Sequence, residues 1–311
     1  MKKIDVLAVC PFEWSGVRKS ISQGADAYAD VRDARAAIRD HDPAEVRFGG
    51  YSSEWRPILE FARRRKCKIV VTIHHTPAFH EFTGSSRAAI VKAIEDFKKG
   101  LIDGFETPHE GVAGTLTLLG IPCGVRSNTT EAPADVKDRS PRPGLHIGIF
   151  GTGLPWKNMD TQMLAAALTV RGQPGGMIHV QHAGDTSLMN ALGVQYQVHP
   201  QMAQDQFYRL VASMTVNMAV TFTETFGYLA VESFLLGVPC LFSPMTPAFH
   251  DVSRESPLWS CRVDRIDDPM YISARMREVM EHREEISEAG KAFCQRHCRS
   301  GGTRRSIPAL P

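Results

Sequence analysis

The sequence predicts an α/β chain made of two doubly wound domains that face each other across a cleft. Buried-strand and helix patterns alternate along the whole length, as parallel sheets with crossover helices require. The alternation stops once, at a proline-rich charged stretch, and then restarts. The length, 311 residues, suits two domains that each bury a core of their own.

The elements follow in order. The apolar run IDVLAVC (4–10) reads as a first strand, followed by the loop PFEWSG (11–16). A helix is expected over Ala25 to Asp40, where strand signals are weak. AEVRFGG (44–50) is a short strand ending in glycines, and Trp55 to Lys66 is an amphipathic helix. KIVVTIHH (68–75), rich in β-branched residues, is the clearest strand of this half and ends in two histidines. Ile90 to Lys99 is helical, GFET (104–107) is strand-like, and EGVAGTLTLLG (110–120) is a helix closed by Gly120.

EAPADVKDRSPRPG (131–144), with three prolines and mixed charge, has linker composition. It separates an N-terminal domain at 1–135, through a linker at 136–144, from a second domain at 145–290. The remaining tail, 291–311, can pack back on the first domain. LHIGIFGTG (145–153) restarts the pattern with a buried strand and a glycine-bearing loop. Helix 158–169, strand 177–182, helix 203–212, strand 214–220, helix 228–236 and strand 239–243 follow. VQYQV, before His199, is also strand-like.

Composition excludes several classes. A formal charge of +2 gives no case for a nucleic-acid or membrane protein by itself. The basic run Arg63 to Lys66 and a tail with Arg296, Arg299, Arg304 and Arg305 read first as a solvated helix end and a loose terminus. Seven scattered cysteines, with no CxxC pair, read as reduced core residues of a cytoplasmic protein. Cys294, His297 and Cys298 lack a second ligand pair at zinc spacing, so no metal is expected. The first apolar run is too short to span a membrane and has no clean cleavage pattern.

Chemistry concentrates in ETFGYLAVESFLLGVP (224–239). It places two carboxylates, Glu224 and Glu232, around a Phe226-Gly227 step where a buried strand gives way to a helix capped by Gly237. Open backbone N–H groups at that step would face ligands at the carboxyl end of a sheet. Acids beside a helix start suit a ligand rich in hydroxyls with an anion in its middle, as a nucleotide sugar is. In the loop GTGLPWKN (151–158), Gly151 and Gly153 allow close backbone approach, and Lys157 stands just before a helix start, a place for a diphosphate. Neither a P-loop nor a GxGxxG fingerprint is present.

The pattern E-[ST]-F-G-x4-E-[AS]-x3-G-x-P is met by Glu224, Thr225, Phe226, Gly227, Glu232, Ser233, Gly237 and Pro239. Through it the second half resembles the retaining GT-B glycosyltransferases that use nucleotide sugars, the glycosyltransferase family 4-like group. The likeness covers 145–243 best, and Thr221 stands where that family has a small hydroxyl residue. It implies two Rossmann-like domains and an enzyme of the EC 2.4 class, with a nucleoside-diphosphate sugar as donor substrate and no metal or other cofactor.

By position, the resemblance gives Glu224 the donor-sugar hydroxyls and Glu232 the ribose hydroxyls. Lys157 takes the diphosphate, while Thr225, Phe226 and Gly227 approach sugar or phosphate, and His199-Pro200 frame the nucleobase. Thr152 occupies the position of the family's arginine, which removes one cation from the diphosphate clamp; Arg18 is a candidate substitute. In the N-terminal half, TIHH (72–75) matches a strand ending in Thr-x-His and places His74, less so His75, near the donor sugar. Gly16 faces the donor phosphates, and Asn128 matches an asparagine before the linker, with a structural role. The acceptor stays open among glycan, lipid, small molecule, protein and modified nucleic acid, with peripheral membrane contact possible. Two alternatives stand beside transfer: a nucleotide-sugar-binding protein without activity, suggested by Thr152, and a sugar-nucleotide epimerase.

Overall fold

A computed structural model of the chain describes residues 3–11, 15–74, 76, 84–126, 128–130, 142–151, 153–181 and 186–298. They divide into two compact units, the division falling between Thr129 and Thr130.

The first unit runs β1 (Val6–Val9), α1 (Ser15–Ile21), β2 (Ala27–Ala29), α2 (Ala34–His41), β3 (Glu45–Gly49), α3 (Arg56–Arg64), β4 (Lys68–Thr72), α4 (Gly84–Lys98), β5 (Gly104–Thr107), α5 (Glu110–Leu118) and β6 (Cys123–Val125). Its strands are parallel in the order β2-β1-β3-β4-β5-β6. The helix expected from Ala25 begins only at Ala34. Gly24 turns the chain at φ +65°, and the Asp26 carboxylate accepts the N–H groups of Asp5 and Val6 at 3.0 and 2.9 Å. Ala27–Ala29 then pairs with β1, so sheet hydrogen bonds override the helix propensity of alanine. A strand of three residues with no apolar run leaves no trace in the sequence, and β6, with Gly124 at its centre, lacks a sequence signal for the same reason.

Leu7, Val9, Val46, Phe48, Ile69, Val71 and Phe105 line one sheet face and share a core with Ile38, Leu59, Ala93 and Ala113 of α2 to α5. The other face takes α1, which packs so closely that a Cβ at Gly49 would lie 2.7 Å from Val17 Cγ1. This second face also holds charge. Arg47, almost fully buried, pairs with Glu45 at 2.7 Å and Glu106 at 3.1 Å. Arg126 reaches Glu106 at 3.6 Å, and Lys68 reaches Glu45 at 3.0 Å. Each buried ion there has a counter-ion, the condition for keeping charge inside a protein.

The second unit runs β7 (His146–Ile149), α6 (Met159–Val170), β8 (Met177–Gln181), α7 (Ser187–Leu192), β9 (Tyr196–His199), α8 (Gln204–Ala212), β10 (Val216–Ala219), α9 (Tyr228–Leu235), β11 (Cys240–Phe242), α10 (Pro269–Glu281) and α11 (Arg283–His297). Its five parallel strands stand in the order β11-β10-β7-β8-β9. The direction of winding reverses between β7 and β10. Such a switch point leaves a crevice beyond the strand ends, because the two following loops turn to opposite faces. α11 packs on α9 through Gly290, where a Cβ would lie 2.1 Å from the ring of Phe234. Residues 291–297 therefore belong to a helix that carries Phe293 and Cys294 into this core.

All seven cysteines are buried free thiols. Among the described residues, no helix is long and apolar enough to cross a membrane.

Candidate active site

The loops after β7 and β10 flank the switch point, and they carry Lys157 and Glu224. After β7 the chain makes a short 3-10 turn, Pro155–Lys157, and Asn158 then adopts the left-handed conformation at φ 54°. Its buried side chain donates to the carbonyls of Val220 at 3.1 Å and Ile266 at 2.6 Å. Gln162, one turn into α6, donates to Lys157 O at 2.7 Å and accepts Val220 N–H at 3.0 Å. Phe222 N–H donates to Trp156 O at 2.9 Å. These bonds fasten the lysine loop to the exit of β10. Lys157 Nζ consequently donates to Glu224 Oε2 at 2.7 Å, joining residues 67 positions apart.

Gly151 belongs to the same construction: a Cβ there would lie 2.9 Å from Met159 Sδ, with the Lys157 stem at 3.6 Å. Gly153 is exposed in the loop, and Thr152 lies outside the described residues.

Glu224 Oε1 accepts the Thr225 N–H at 2.9 Å, so both oxygens of this carboxylate are engaged. Gly227 takes φ +98°, where an L side chain is strained, and a Cβ would meet Thr246 Cγ2 at 2.2 Å. Only glycine fits. The Phe226 and Gly227 N–H groups, at the entry to α9, have no acceptor among the described residues. Phe226 itself is anchored in the core, edge-on to Tyr228 with ring centroids 4.9 Å apart. Beyond it, the buried Glu232 accepts from Tyr208 Oη of α8 at 3.2 Å. The Thr221 hydroxyl is also buried, with no hydrogen-bond partner among the described residues.

His199 ends β9 as the last member of a row of three imidazoles. His146 Nδ1 lies 2.9 Å from His179 Nε2, and His179 Nδ1 lies 2.9 Å from His199 Nε2. Burial, assisted by the Arg142 charge, pushes His179 down to about 3; the same two causes lower His199.

In the second unit, then, Lys157, Glu224, Thr225, Phe226 and Gly227 come together around the switch point. Glu232 follows on α9 and His199 ends a separate strand. The other expected residues lie in the first unit. His74 is buried just past β4, its carbonyl 3.3 Å from His109 Nε2. Gly16 was expected in a loop, but α1 begins at Ser15, and Gly16 is the second residue of that helix. Arg18 is on the same helix, and His75 lies outside the described residues. Asn128 accepts a short hydrogen bond from Ser20 Oγ, a tie between α1 and the segment after β6 that fits its structural role.

Sequence reasoning passed over Asn158, Gln162, Tyr208, Thr246, His146 and His179. Asparagine is the residue that, after glycine, most readily takes the left-handed conformation and closes a helical turn, so Asn158, following Pro155–Lys157, carried a signal. The other five act through tertiary contacts that no local pattern encodes.

No family model and no curated protein matches the chain. Solved structures do. Alr3699/HepE from Anabaena, solved in complex with UDP-glucose, superposes with a TM-score of 0.70 at 11% identity over 96% of both chains. A glycosyltransferase from Rickettsia africae gives 0.66 at 11% identity over 96% of this chain and 95% of that one. Sucrose-phosphate synthase from Thermosynechococcus elongatus gives 0.65 at 12% identity, covering 86% of this chain and 73% of its own. At these identities the likeness is one of fold. This chain has the GT-B fold, with an α/β parallel sheet in each of its two units.

Proposed function

We propose that this protein transfers a sugar from a nucleoside-diphosphate sugar to an acceptor with retention of anomeric configuration. The observation that carries the reading is the meeting of Lys157 and Glu224, 2.7 Å apart, beside the open amides of Phe226 and Gly227 at the switch point. A cation and two N–H groups suit a diphosphate, and a carboxylate beside them suits sugar hydroxyls. Support also comes from structures of the same fold: Alr3699/HepE was solved with UDP and with UDP-glucose.

In this reading Lys157 and the two amides stabilise the charge that grows on the diphosphate as its oxygen leaves the anomeric carbon. Glu224 orients the sugar, Thr225 supports the turn, and Glu232 holds the ribose hydroxyls. Gly151 and Gly153 let the backbone approach the phosphates. The acceptor oxygen bonds to the anomeric carbon on the face the diphosphate leaves, and its proton passes to a departing phosphate oxygen. The first unit is the acceptor side, and His74 and Gly16 enter this scheme through the family resemblance alone.

Lys157→Ala should lower donor turnover by about two to three orders of magnitude, as expected for loss of a preorganised charge. Donor hydrolysis over a panel of UDP-, GDP- and ADP-sugars measures it, and near-wild-type turnover would refute the role of the lysine. The second reading, a nucleotide-sugar-binding protein without transferase activity, is favoured by Thr152 at the expected arginine position. Donor binding with no hydrolysis and no transfer would select it.

A further inference from the structure

The imidazole row has a direction fixed by its buried end. His146 Nε2 lies 2.9 Å from the carbonyl oxygen of Pro143, which can only accept, so that nitrogen carries the proton. In neutral imidazole the other nitrogen is then an acceptor. His146 Nδ1 must therefore receive Nε2–H of His179, and His179 Nδ1 must receive Nε2–H of His199. One carbonyl determines three tautomers. The last nitrogen, His199 Nδ1, is left with a bare lone pair and has no partner among the described residues.

The sheet register explains how the row forms. His146 stands opposite Met177, His179 opposite Gly148 and Gln197, and His199 opposite Gln181. All three side chains share one face, and each step across a strand advances two residues toward the carboxyl edge. Neighbouring rings are 5.1 and 5.2 Å apart at their centroids. His179 is completely buried and His146 and His199 nearly so; burial, with the Arg142 charge nearby, disfavours protonation of His179 and His199. The row cannot conduct protons outward, because Pro143 has no proton to give and no site to take one. It acts as a lock on the tautomer.

We propose that this lock makes His199 Nδ1 a fixed hydrogen-bond acceptor that reads a ring N–H of the donor's nucleobase, with His179 and His146 as positioning residues. The proposal rests on the donor-site reading above and on the place of His199: it ends β9 at the carboxyl edge of the same parallel sheet, and the chain then enters α8, whose Tyr208 donates to Glu232, the carboxylate given to the ribose. Uracil, at N3, and guanine, at N1, present such an N–H; the corresponding nitrogens of cytosine and adenine carry lone pairs and would face another lone pair. The lock thus selects uracil and guanine nucleotides. A freely rotating or tautomerising histidine would accept both kinds.

The test compares UDP with 3-N-methyl-UDP, and GDP with 1-methyl-GDP, by calorimetric titration of the wild-type protein and of His179→Phe. Nitrogen-15 imidazole spectra report the tautomers separately. We expect methylation to weaken binding about tenfold or more in the wild type, the effect of leaving a desolvated acceptor unpaired. In His179→Phe, where His199 is free to exchange tautomers, that penalty should shrink to a few-fold, and His146→Phe gives a second variant should the first not fold. The spectra should show His199 protonated at Nε2 and bare at Nδ1 in the wild type only. A methylation penalty below twofold, or tight binding confined to ADP or CDP, overturns this inference and leaves the donor-site reading intact. Failure of every nucleoside diphosphate to bind removes both.

Discussion

Glu224→Gln should tighten the binding of UDP while slowing sugar transfer. Lys157 already has an anion beside it, the Glu224 carboxylate at 2.7 Å. At that distance a unit charge pair attracts by about 6 kcal/mol with an effective dielectric near 20. The two side chains are 23% and 18% exposed, so solvent screening and desolvation reduce the net coupling. A value of about 1–2 kcal/mol lies between exposed and buried pairs. A diphosphate that recruits Lys157 must compete with this carboxylate. Glutamine keeps the side-chain length and the oxygen that accepts Thr225 N–H, and replaces the charged Oε2 that holds Lys157 with an uncharged NH2 group that cannot accept from it. UDP affinity should therefore rise by about fivefold to thirtyfold. Calorimetry on wild type, Glu224→Gln, Lys157→Ala and the double variant closes a thermodynamic cycle. The reasoning predicts that Glu224→Gln has no effect on UDP affinity once Lys157 is gone. Weaker UDP binding in Glu224→Gln, or an equal change in both backgrounds, would show that the carboxylate does not compete for the lysine.

Two further outcomes concern stability. Gly227→Ala meets both a positive φ and a 2.2 Å approach to Thr246, so it should destabilise the second unit by about 2–4 kcal/mol, read as a fall in thermal midpoint; an unchanged midpoint would contradict the turn geometry. His179 titrates at about 3 in the folded protein against 6.5 ordinarily, so below 6.5 the unfolded chain binds the extra proton and stability falls as pH falls. From pH 7 to pH 5 this group alone should remove about 2 kcal/mol. Urea unfolding of His179→Gln should show a correspondingly shallower loss over that range, and equal slopes in the two proteins would exclude the effect.

Strongly patterned elements were legible in the sequence: the β-branched run from Lys68 is the strand Lys68–Thr72, and Tyr228–Leu235 is a helix followed by Gly237 at φ +74°. Ala27–Ala29, between two aspartates, and Cys123–Val125, with a central glycine, were hidden because neither has the apolar run that marks the equally short Cys240–Phe242, and their strand character comes from the neighbour they pair with. The site divides in the same way. Glu224, Phe226, Gly227 and Lys157 stood out because a strand exit, a glycine and a charge are adjacent in sequence. Tyr208 against Glu232, Gln162 against Val220 and Thr246 against Gly227 are meetings of distant segments, which no local window contains. His199 was visible as a residue, but its direction as an acceptor is decided at Pro143, two strand spacings away through two other side chains.

The charged face of the first sheet bears on how this sequence can diverge. Arg47, Glu45, Glu106 and Arg126 neutralise one another out of water. Removing one member strands its partner, at a cost of about 3–5 kcal/mol, whereas exchanging the whole set for apolar residues of similar volume is close to neutral. Single steps are therefore blocked while concerted ones are open. These four positions form a block that descendants of this chain inherit intact or lose together, and an intact block in a distant relative marks shared descent more strongly than any one of its residues.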